Sequence, residues 1–162
     1  MMTEAIHRKL HGLAEYSAAI DEVISLAGRH IRIFDYNLEN MGFNGVARYE
    51  TLHAFLQANP ENRLSVVVHS PDYLNRYCPR MIMLLKRFSH NMEIRQTLPE
   101  IAHVYDPFCL ADGEHYVRRF HFDDPRGIFA QCDAHEGRAL MLRFEQVWQA
   151  SAPVIYASTT GL

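Results

Sequence analysis

The chain contains few cysteines, and none of them are closely spaced. Its 162 residues include three, Cys78, Cys109 and Cys132, with no C-x-x-C pair. Disulfide frameworks and zinc sites commonly use closely spaced cysteines, and disulfides belong to oxidising compartments. The sequence therefore predicts reduced thiols in a cytoplasmic protein.

Long apolar segments are also missing. No apolar run approaches the roughly 18 residues that a membrane-spanning helix requires, so no membrane span is predicted. The first residues, MMTEAIHRKLHGL, lack the apolar core of a secretory signal. The sequence predicts neither a spanning helix nor a cleaved leader.

Strong net charge is the third absence. The formal net charge is -3, and 48% hydrophobic with 22% charged residues is an ordinary globular composition. Between His103 and Ala150 there are five arginines, no lysine and eight acidic residues. That balance does not make a basic groove, so it disfavours nucleic acid as a partner. With no internal repeat, residues 1–162 are expected to form one domain.

Helical and strand patterns alternate through the first part of the chain. Helices are predicted over 3–28, 45–58 and 72–88, and strands over 30–36, 63–69 and 92–97. A β-α-β-α-β order indicates a parallel sheet with right-handed crossovers. Residues 1–16 are expected to be a helical extension of this domain.

A different pattern begins after Pro99. Asp112-Gly113 is a strong hairpin-turn signal between two apolar runs. The predicted elements are strands over 103–111, 115–122 and 128–132, then a helix over 133–150. Asp133 and Glu136 have the spacing of a capping box at the start of that helix. Residues 151–162 are expected to be a loose tail. The fold class predicted is α/β, a mixed sheet with helices on both faces.

The hairpin carries an unusual number of ionisable side chains for a segment that is otherwise apolar. They are His103, Asp106, Asp112, His115, Arg118, Arg119 and His121. We take this segment as the candidate site. Asp35 lies at the end of the first parallel strand, and His69 and Ser70 lie at the equivalent end of the second. Open α/β sheets bind ligands there, so these residues could share a pocket with His103.

Metal sites are weakly indicated. His7 and His11 have i, i+4 spacing, which places both on one face of a helix, but no third ligand lies near them. His103, Asp112, His115 and His121 are scattered in the manner expected by chance. A solvated histidine face and ordinary hairpin residues are the favoured interpretations, and the sequence predicts no metal and no cofactor.

Residues 17–150 resemble one half of a phospholipase D-type domain: parallel strands, antiparallel strands carrying a histidine, then a closing helix. The family motif is H-x-K-x4-D on a β-hairpin. In this chain His103 takes the histidine position, Tyr105 the lysine position and Leu110 the aspartate position, with Asp112 two residues later. Arg118-Arg119 lies near the position of a Gly-Ser pair, and Glu136 can stand for an acidic residue before the last helix.

The resemblance implies chemistry and partners. In the family, two motifs from a duplicated chain or two subunits form one site, where one histidine attacks phosphorus and the other protonates the leaving group. A homodimer is therefore expected. The chain also resembles bacterial domains that accompany GNAT-type acyltransferase domains, which suggests an acyltransferase-type partner. A small phosphorylated ligand is expected, bound by residues of the motif region: Tyr105, Asp112, His115, Arg118, Arg119 and Glu136.

Three function hypotheses follow. Tyr105 offers a hydrogen bond but no positive charge, and the loss of one oxyanion donor alone typically reduces the rate by about 10²–10³-fold. The favoured hypothesis is a degenerate, non-catalytic binding or interaction module. The alternative is a divergent phosphodiesterase or phosphatidyltransferase, with His103 as the catalytic nucleophile across a homodimer. Arg118 or Arg119 would then hold the phosphate, since neighbouring strand residues point to opposite faces. A metal-dependent enzyme is a third hypothesis.

Overall fold

The computed structural model describes residues 4–154, which form one eight-stranded mixed sheet flanked by helices. The central strands are parallel: β2 (His30–Asp35), β3 (Arg63–Val68) and β4 (Met92–Thr97). They are joined by α2 (Val46–Ala58) and by the pair α3 (Asp72–Tyr77) and α4 (Pro79–Arg87). The predicted parallel β-α-β-α-β unit is confirmed.

The antiparallel half extends the sheet beyond β2. The order across the sheet is β1-β7-β6-β5-β2-β3-β4-β8. The remaining elements are β1 (Ile6–His11), α1 (Leu13–Leu26), β5 (Phe108–Ala111), β6 (His115–Arg119), β7 (Arg126–Gln131), α5 (Ala134–Gln149) and β8 (Ser151–Pro153). The predicted hairpin is therefore β5-β6, and it pairs with β2 through β5.

Two apolar layers cover the sheet. Alternate strand residues point to opposite faces, so Ile31 and Ile33 of β2 pack with α1, α2 and α4, whereas Phe34 packs towards α5. Helices therefore lie on both faces, and the predicted fold class is confirmed. On the second face, α5 is the one covering helix among residues 4–154, and it packs through Leu140 and Phe144. Within residues 4–154, no helix combines the length and apolar character needed to cross a bilayer.

The N-terminal helical extension predicted for residues 1–16 is wrong, because Ile6–His11 form β1 and the helix begins only at Leu13. Pairing with β7 satisfies the backbone of this segment, and of the six residues of β1 only Leu10 is buried. His7 and His11 therefore lie four positions apart on a strand, about 13 Å, which is too far to share one metal ion.

The loose tail predicted for residues 151–162 is wrong at its start. Ser151–Pro153 form β8, which pairs antiparallel with β4. Residues 155–162 lie outside the described part of the chain.

The first hairpin strand is shorter than the predicted 103–111. Pro99–Ile101 form a 3₁₀ helix, His103 lies in a turn, and β5 begins only at Phe108. Pro99 and Pro107 explain the difference, because proline has no N–H to donate to a strand ladder.

Candidate functional site

Most of the polar side chains that directly follow strands lie at one end of the sheet, which we call an edge. The carboxyl ends of β2, β3 and β4 lie at this edge, together with the start of β5 and the end of β6. Asp35 ends β2, and His69 directly follows β3, as the position of ligand sites in open α/β sheets suggested. His103, by contrast, is exposed in its turn and has no hydrogen-bond or ion-pair partner within residues 4–154.

His69 is held by two hydrogen bonds at this edge. Its Nε2 lies 2.5 Å from the carbonyl oxygen of Val104, and its Nδ1 lies 2.6 Å from the hydroxyl of Thr97. A carbonyl oxygen can only accept, so Nε2 carries the proton, and Nδ1 accepts from the threonine hydroxyl. Both ring nitrogens of a neutral His69 are thus used, and neither is available to attack a substrate.

Aromatic rings surround His69 and form what we call the aromatic edge: Tyr36, His69, Tyr105, His121 and Phe122. Tyr36 stacks on Phe122 with ring centroids 4.7 Å apart, and Phe122 stacks on His121 at the same distance. Tyr105 lies 5.2 Å from His121 and 5.6 Å from Phe122. Tyr36 and Tyr105 remain 37% and 40% exposed, so this edge presents aromatic surface to its surroundings.

Beneath the aromatic edge, Arg119 and Asp35 form a buried ion pair. Their nearest nitrogen and oxygen are 3.8 Å apart. Asp35 also accepts hydrogen bonds from the backbone N–H groups of Tyr36 and Leu38, at 2.8 and 3.0 Å. Burial raises the pKa of Asp35, and the Arg119 charge and these two hydrogen bonds oppose the rise. Arg119 also donates to the carbonyl oxygen of Phe122.

A cavity of about 260 Å³ opens above this ion pair. Its charged lining residues are Asp35, Glu39, Asp123 and Arg119, three acids against one base. An excess of carboxylates repels a phosphate group, so this cavity does not suit the phosphorylated ligand expected at the hairpin.

Arg118 points to the opposite face of the sheet, as an alternate strand position requires. Its guanidinium donates to Glu136 on α5 at 2.9 Å. The two hairpin arginines are thus separated and each faces its own carboxylate. Glu136 lies with Arg118 beside α5 and not with His103.

Asp112 lies at the opposite edge, in the β5-β6 turn. Its carboxylate accepts backbone hydrogen bonds from Gly28, Arg29 and His30 at 2.6, 2.8 and 3.0 Å. Burial alone would raise the pKa of Asp112, but the hydrogen bonds from His30, Gly28 and Arg29 outweigh it and lower the pKa. Asp112 therefore fastens the hairpin to the start of β2.

Glu114, His115 and Cys132 form a cluster with potential metal ligands within 4.8 Å of one another. However, Nδ1 of His115 accepts a hydrogen bond from the backbone N–H of Cys132 at 3.0 Å. The proton of the neutral ring is then on Nε2, which lies 3.7 Å from Glu114. A metal ligand needs that nitrogen deprotonated, so the cluster is arranged as a hydrogen-bonded group. His121 lies six residues further along the chain, about 20 Å away in extended geometry.

Sequence reasoning missed several members of this edge. Thr97, Tyr36 and Phe122 each lie at or just beyond the end of a strand, and only the pairing of the strands brings them to His69. The signal available was positional: residues directly after parallel strands share one edge.

The comparisons with known proteins agree with this architecture. Residues 12–156 match the domain family described as "Domain of unknown function (DUF7931)", so β1 precedes the matched region. A search of curated proteins gives no match.

Three solved structures share the fold at low sequence identity. TrmBL2, an archaeal chromatin protein described with a novel mode of DNA binding, has 13% identity and a TM-score of 0.67 over 92% of this chain, which spans 55% of TrmBL2. Nuc from Salmonella typhimurium, a phospholipase D family member, has 11% identity and a TM-score of 0.64, covering 94% of this chain and 100% of Nuc. Phosphatidylserine synthase from Haemophilus influenzae Rd KW20 has 12% identity and a TM-score of 0.57, covering 98% of this chain and 41% of the synthase. The fold is therefore phospholipase D-like.

Proposed function

The chain belongs to the DUF7931 family, and from the geometry of its aromatic edge we propose that it is a non-catalytic, phospholipase D-like interaction module that pairs with a second copy of itself. The observation that carries the proposal is the aromatic edge itself. It occupies the carboxyl ends of the parallel strands, where ligand sites of open α/β sheets lie, with packed and partly exposed rings.

The position of Asp112 supports loss of the catalytic motif. Asp112, and not Leu110, holds the hairpin, which is the role of the aspartate in H-x-K-x4-D. Counting back from Asp112, the histidine position is Tyr105 and the lysine position is Pro107. Proline provides no side-chain donor and no charge, so the motif would lack both its nucleophilic imidazole and its phosphate cation.

The remaining side chains at this edge do not replace the motif. Both ring nitrogens of His69 are engaged, and Arg119 faces the carboxylate of Asp35. The only two lysines of the chain, Lys9 and Lys86, lie on β1 and α4. Phosphoryl transfer depends on cations placed around the equatorial oxygens, and Arg119, the basic residue that lines the cavity below the aromatic edge, is committed to Asp35.

A second copy is the partner that best fits this surface. Phe120 is 53% exposed directly after β6, and Tyr36 and Tyr105 of the aromatic edge are 37% and 40% exposed. Aromatic residues are enriched in the buried cores of protein interfaces. The chain matches all of Nuc but only 41% of the synthase, as expected of a single half that faces another.

Oligomeric state tests the pairing. Light scattering on the wild-type protein is expected to give a dimer, and Phe120→Asp is expected to give a monomer because it buries a charge at the interface. Leu142→Asp is the matched control, since Leu142 is 64% exposed on α5, and it should remain dimeric. A wild-type monomer, or a control that dissociates as readily as Phe120→Asp, would contradict the proposal.

Hydrolysis of bis-p-nitrophenyl phosphate tests the absence of catalysis. No turnover above buffer is expected for the wild-type protein or for His103→Asn. Turnover that disappears with His103→Asn would instead support the alternative, a divergent phosphodiesterase or phosphatidyltransferase with His103 as nucleophile.

A further inference from the structure

A second cavity lies at the other end of the parallel strands, on the face that α5 covers only in part. It has a volume of about 550 Å³. Its floor is formed by the first residues of β2, β3 and β4, and one side by Phe144, Glu145 and Trp148 near the end of α5. We call this cavity the α5 groove. Small-molecule sites fall in this range of volumes, and the groove is far larger than a single phosphate ion.

The floor of the α5 groove is basic. In the β2-β3 register, His30 lies beside Arg63, and Arg32 lies beside Ser65. These positions alternate along their strands, so all four side chains share one face. Nε2 of His30 lies 2.9 Å from the Ser65 hydroxyl. Burial, then the charges of Arg32 and Arg63, lower the pKa of His30 to about 4, so its ring is neutral between two cations.

Two acidic side chains, Glu93 and Glu145, also line the groove. Glu93 bonds to Arg95 at 2.8 Å. Arg95 in turn covers the Trp148 ring at 4.3 Å and donates to the Trp148 carbonyl oxygen. Glu145 lies on α5 at the rim of the groove. Within residues 4–154, neither Arg32 nor Arg63 of the floor has an ion-pair partner.

Arg32 is half-buried, and within residues 4–154 its guanidinium has no hydrogen-bond or ion-pair partner. Burial lowers its pKa, and the charges of Glu145 and Asp112 oppose this. A guanidinium has five N–H donors, and those of Arg32 face the open groove without a protein partner in the described part of the chain. A bound oxyanion would satisfy them, because arginine recognises phosphate through two parallel hydrogen bonds.

We propose that the α5 groove binds a small organic phosphate monoester, with Arg32 and Arg63 holding the phosphate and with Phe144, Leu85 and Pro153 contacting its apolar body. Two arginines match the double charge of a phosphate monoester. The hydroxyl of Ser65 and the neutral ring of His30 supply hydrogen bonds without adding charge. The small phosphorylated ligand expected at the hairpin is thereby assigned to the far end of the sheet. The groove is independent of the pairing at the aromatic edge.

Titration with phenyl phosphate, followed by NMR of the histidine rings and arginine side chains, tests this site. Saturable shifts are expected for His30 and Arg32, with His30 identified through His30→Gln. Arg32→Gln and Arg63→Gln should each weaken binding about tenfold or more, as expected for loss of a charge-assisted hydrogen bond. Because Arg63 is exposed, Arg63→Gln retains the fold even if Arg32→Gln does not.

Arg138→Gln is the control, since Arg138 is exposed on α5 two turns before the groove, and it should bind as the wild type does. Benzyl alcohol, which has a similar ring and no charge, should give no saturable shift. Inorganic phosphate should bind more weakly than phenyl phosphate. Equal weakening by Arg138→Gln, equal binding of benzyl alcohol or of inorganic phosphate, or no saturable shift at millimolar phenyl phosphate would each overturn the assignment.

Discussion

Asp112 connects two distant parts of the chain through backbone hydrogen bonds. Its carboxylate binds the N–H groups of Gly28, Arg29 and His30, which precede or begin β2. One side chain therefore fixes where the hairpin meets the parallel strands. The backbone at Asp112 itself is left-handed, with φ of 55°, a conformation that aspartate tolerates better than most residues.

Replacing Asp112 by asparagine should lower the free energy of unfolding at neutral pH by about 1–2 kcal/mol, because partly exposed hydrogen bonds to a charge contribute at the low end of their range. The lowered pKa of Asp112 in the folded state means that its stabilisation is present above about pH 5 and is lost as the pH falls through that pKa. Urea unfolding at neutral and acidic pH should show the variant and wild type converging in acid. Asp123→Asn, an exposed aspartate, should have little effect at either pH.

The buried pair Asp35–Arg119 gives the second prediction. Arg119→Met should lower the free energy of unfolding at neutral pH by about 3 kcal/mol, because it leaves a buried carboxylate without its cation. The pKa of Asp35 is already raised by burial and should rise further. A raised pKa in the folded state means that stability is lost as the pH rises through the window between the unfolded and folded values, so the defect should shrink in acid.

Chemical denaturation at two pH values would measure this defect. Arg118→Met is the matched control, because Arg118 pairs with a more exposed carboxylate on the other face, and it should lower stability by less than about 1 kcal/mol. The double variant Asp35→Asn/Arg119→Met should lose less stability than the sum of the losses measured for the two single variants. Strict additivity would show that the pair contributes no coupling.

At the residue scale, the sequence could identify the Asp112-Gly113 turn but not its role. The turn signal is local, and the structure confirms it. The alignment of His103 with the motif assumed that the first hairpin strand begins near residue 103. The actual start of this strand is set by Pro107 and by its pairing with β2. The Asp35–Arg119 contact was beyond reach, because it depends on two strands that are far apart in sequence.

The helix α5 packs unusually close to the β5-β6 turn through Gly137. A Cβ added to Gly137 would lie 2.0 Å from the carbonyl oxygen of Gly113, and real atoms do not approach so closely. Glycine in a helix interior normally lowers stability by about 1 kcal/mol relative to alanine. At position 137 the close packing against the turn should make glycine more stabilising than alanine.

We therefore expect Gly137→Ala to lower the free energy of unfolding by about 1–3 kcal/mol, as overpacking does, although alanine is the better helix former. Urea unfolding would measure it. Ala139→Gly on the exposed side of the same helix should lower stability by about 1 kcal/mol through helix propensity alone. Stabilisation by Gly137→Ala would show that the helix can move away from the turn without penalty.

Elements with strong periodicity were predictable and elements that depend on pairing were not. The parallel strands and α5 occur close to their predicted bounds. The apolar run of a buried strand and the apolar stripe of a helix are both visible in the sequence. The residues of β1 were assigned to a helix because Leu10 continues the helical spacing of the apolar residues that follow it. In the structure, β1 has Leu10 as its one buried residue. Its strand conformation is supported by β7, together with the Arg8–Glu22 ion pair to α1.

The whole molecule separates its two proposed surfaces. The aromatic edge lies at the carboxyl ends of the parallel strands, and the α5 groove lies at their amino ends, about 15–20 Å away for six-residue strands. Two copies that pair through the aromatic edge would leave both grooves accessible. The fold class was predictable from element order, whereas the groove was not, because it requires knowing which face α5 leaves uncovered.

The three cysteines differ in reactivity because the core buries two of them. Burial raises the pKa of Cys78 to about 11 and of Cys109 to about 12, so neither forms an appreciable thiolate at neutral pH. Cys132 is only partly buried. A disulfide reagent added to the native protein should therefore titrate one thiol rapidly, and all three after unfolding. Cys132→Ser should abolish the rapid phase, and two rapid thiols in the native protein would contradict this assignment.

Cys132 follows β7 at the edge of the sheet opposite the aromatic edge. A fluorophore attached there would stay clear of the surface proposed for pairing. In a dimer formed through the aromatic edge, two such fluorophores would stand at the outer ends of the assembly. Energy transfer between labelled subunits would be weak in that dimer and strong in a dimer joined through the hairpin turns. Labelling Cys132 would therefore report which surface joins the two copies.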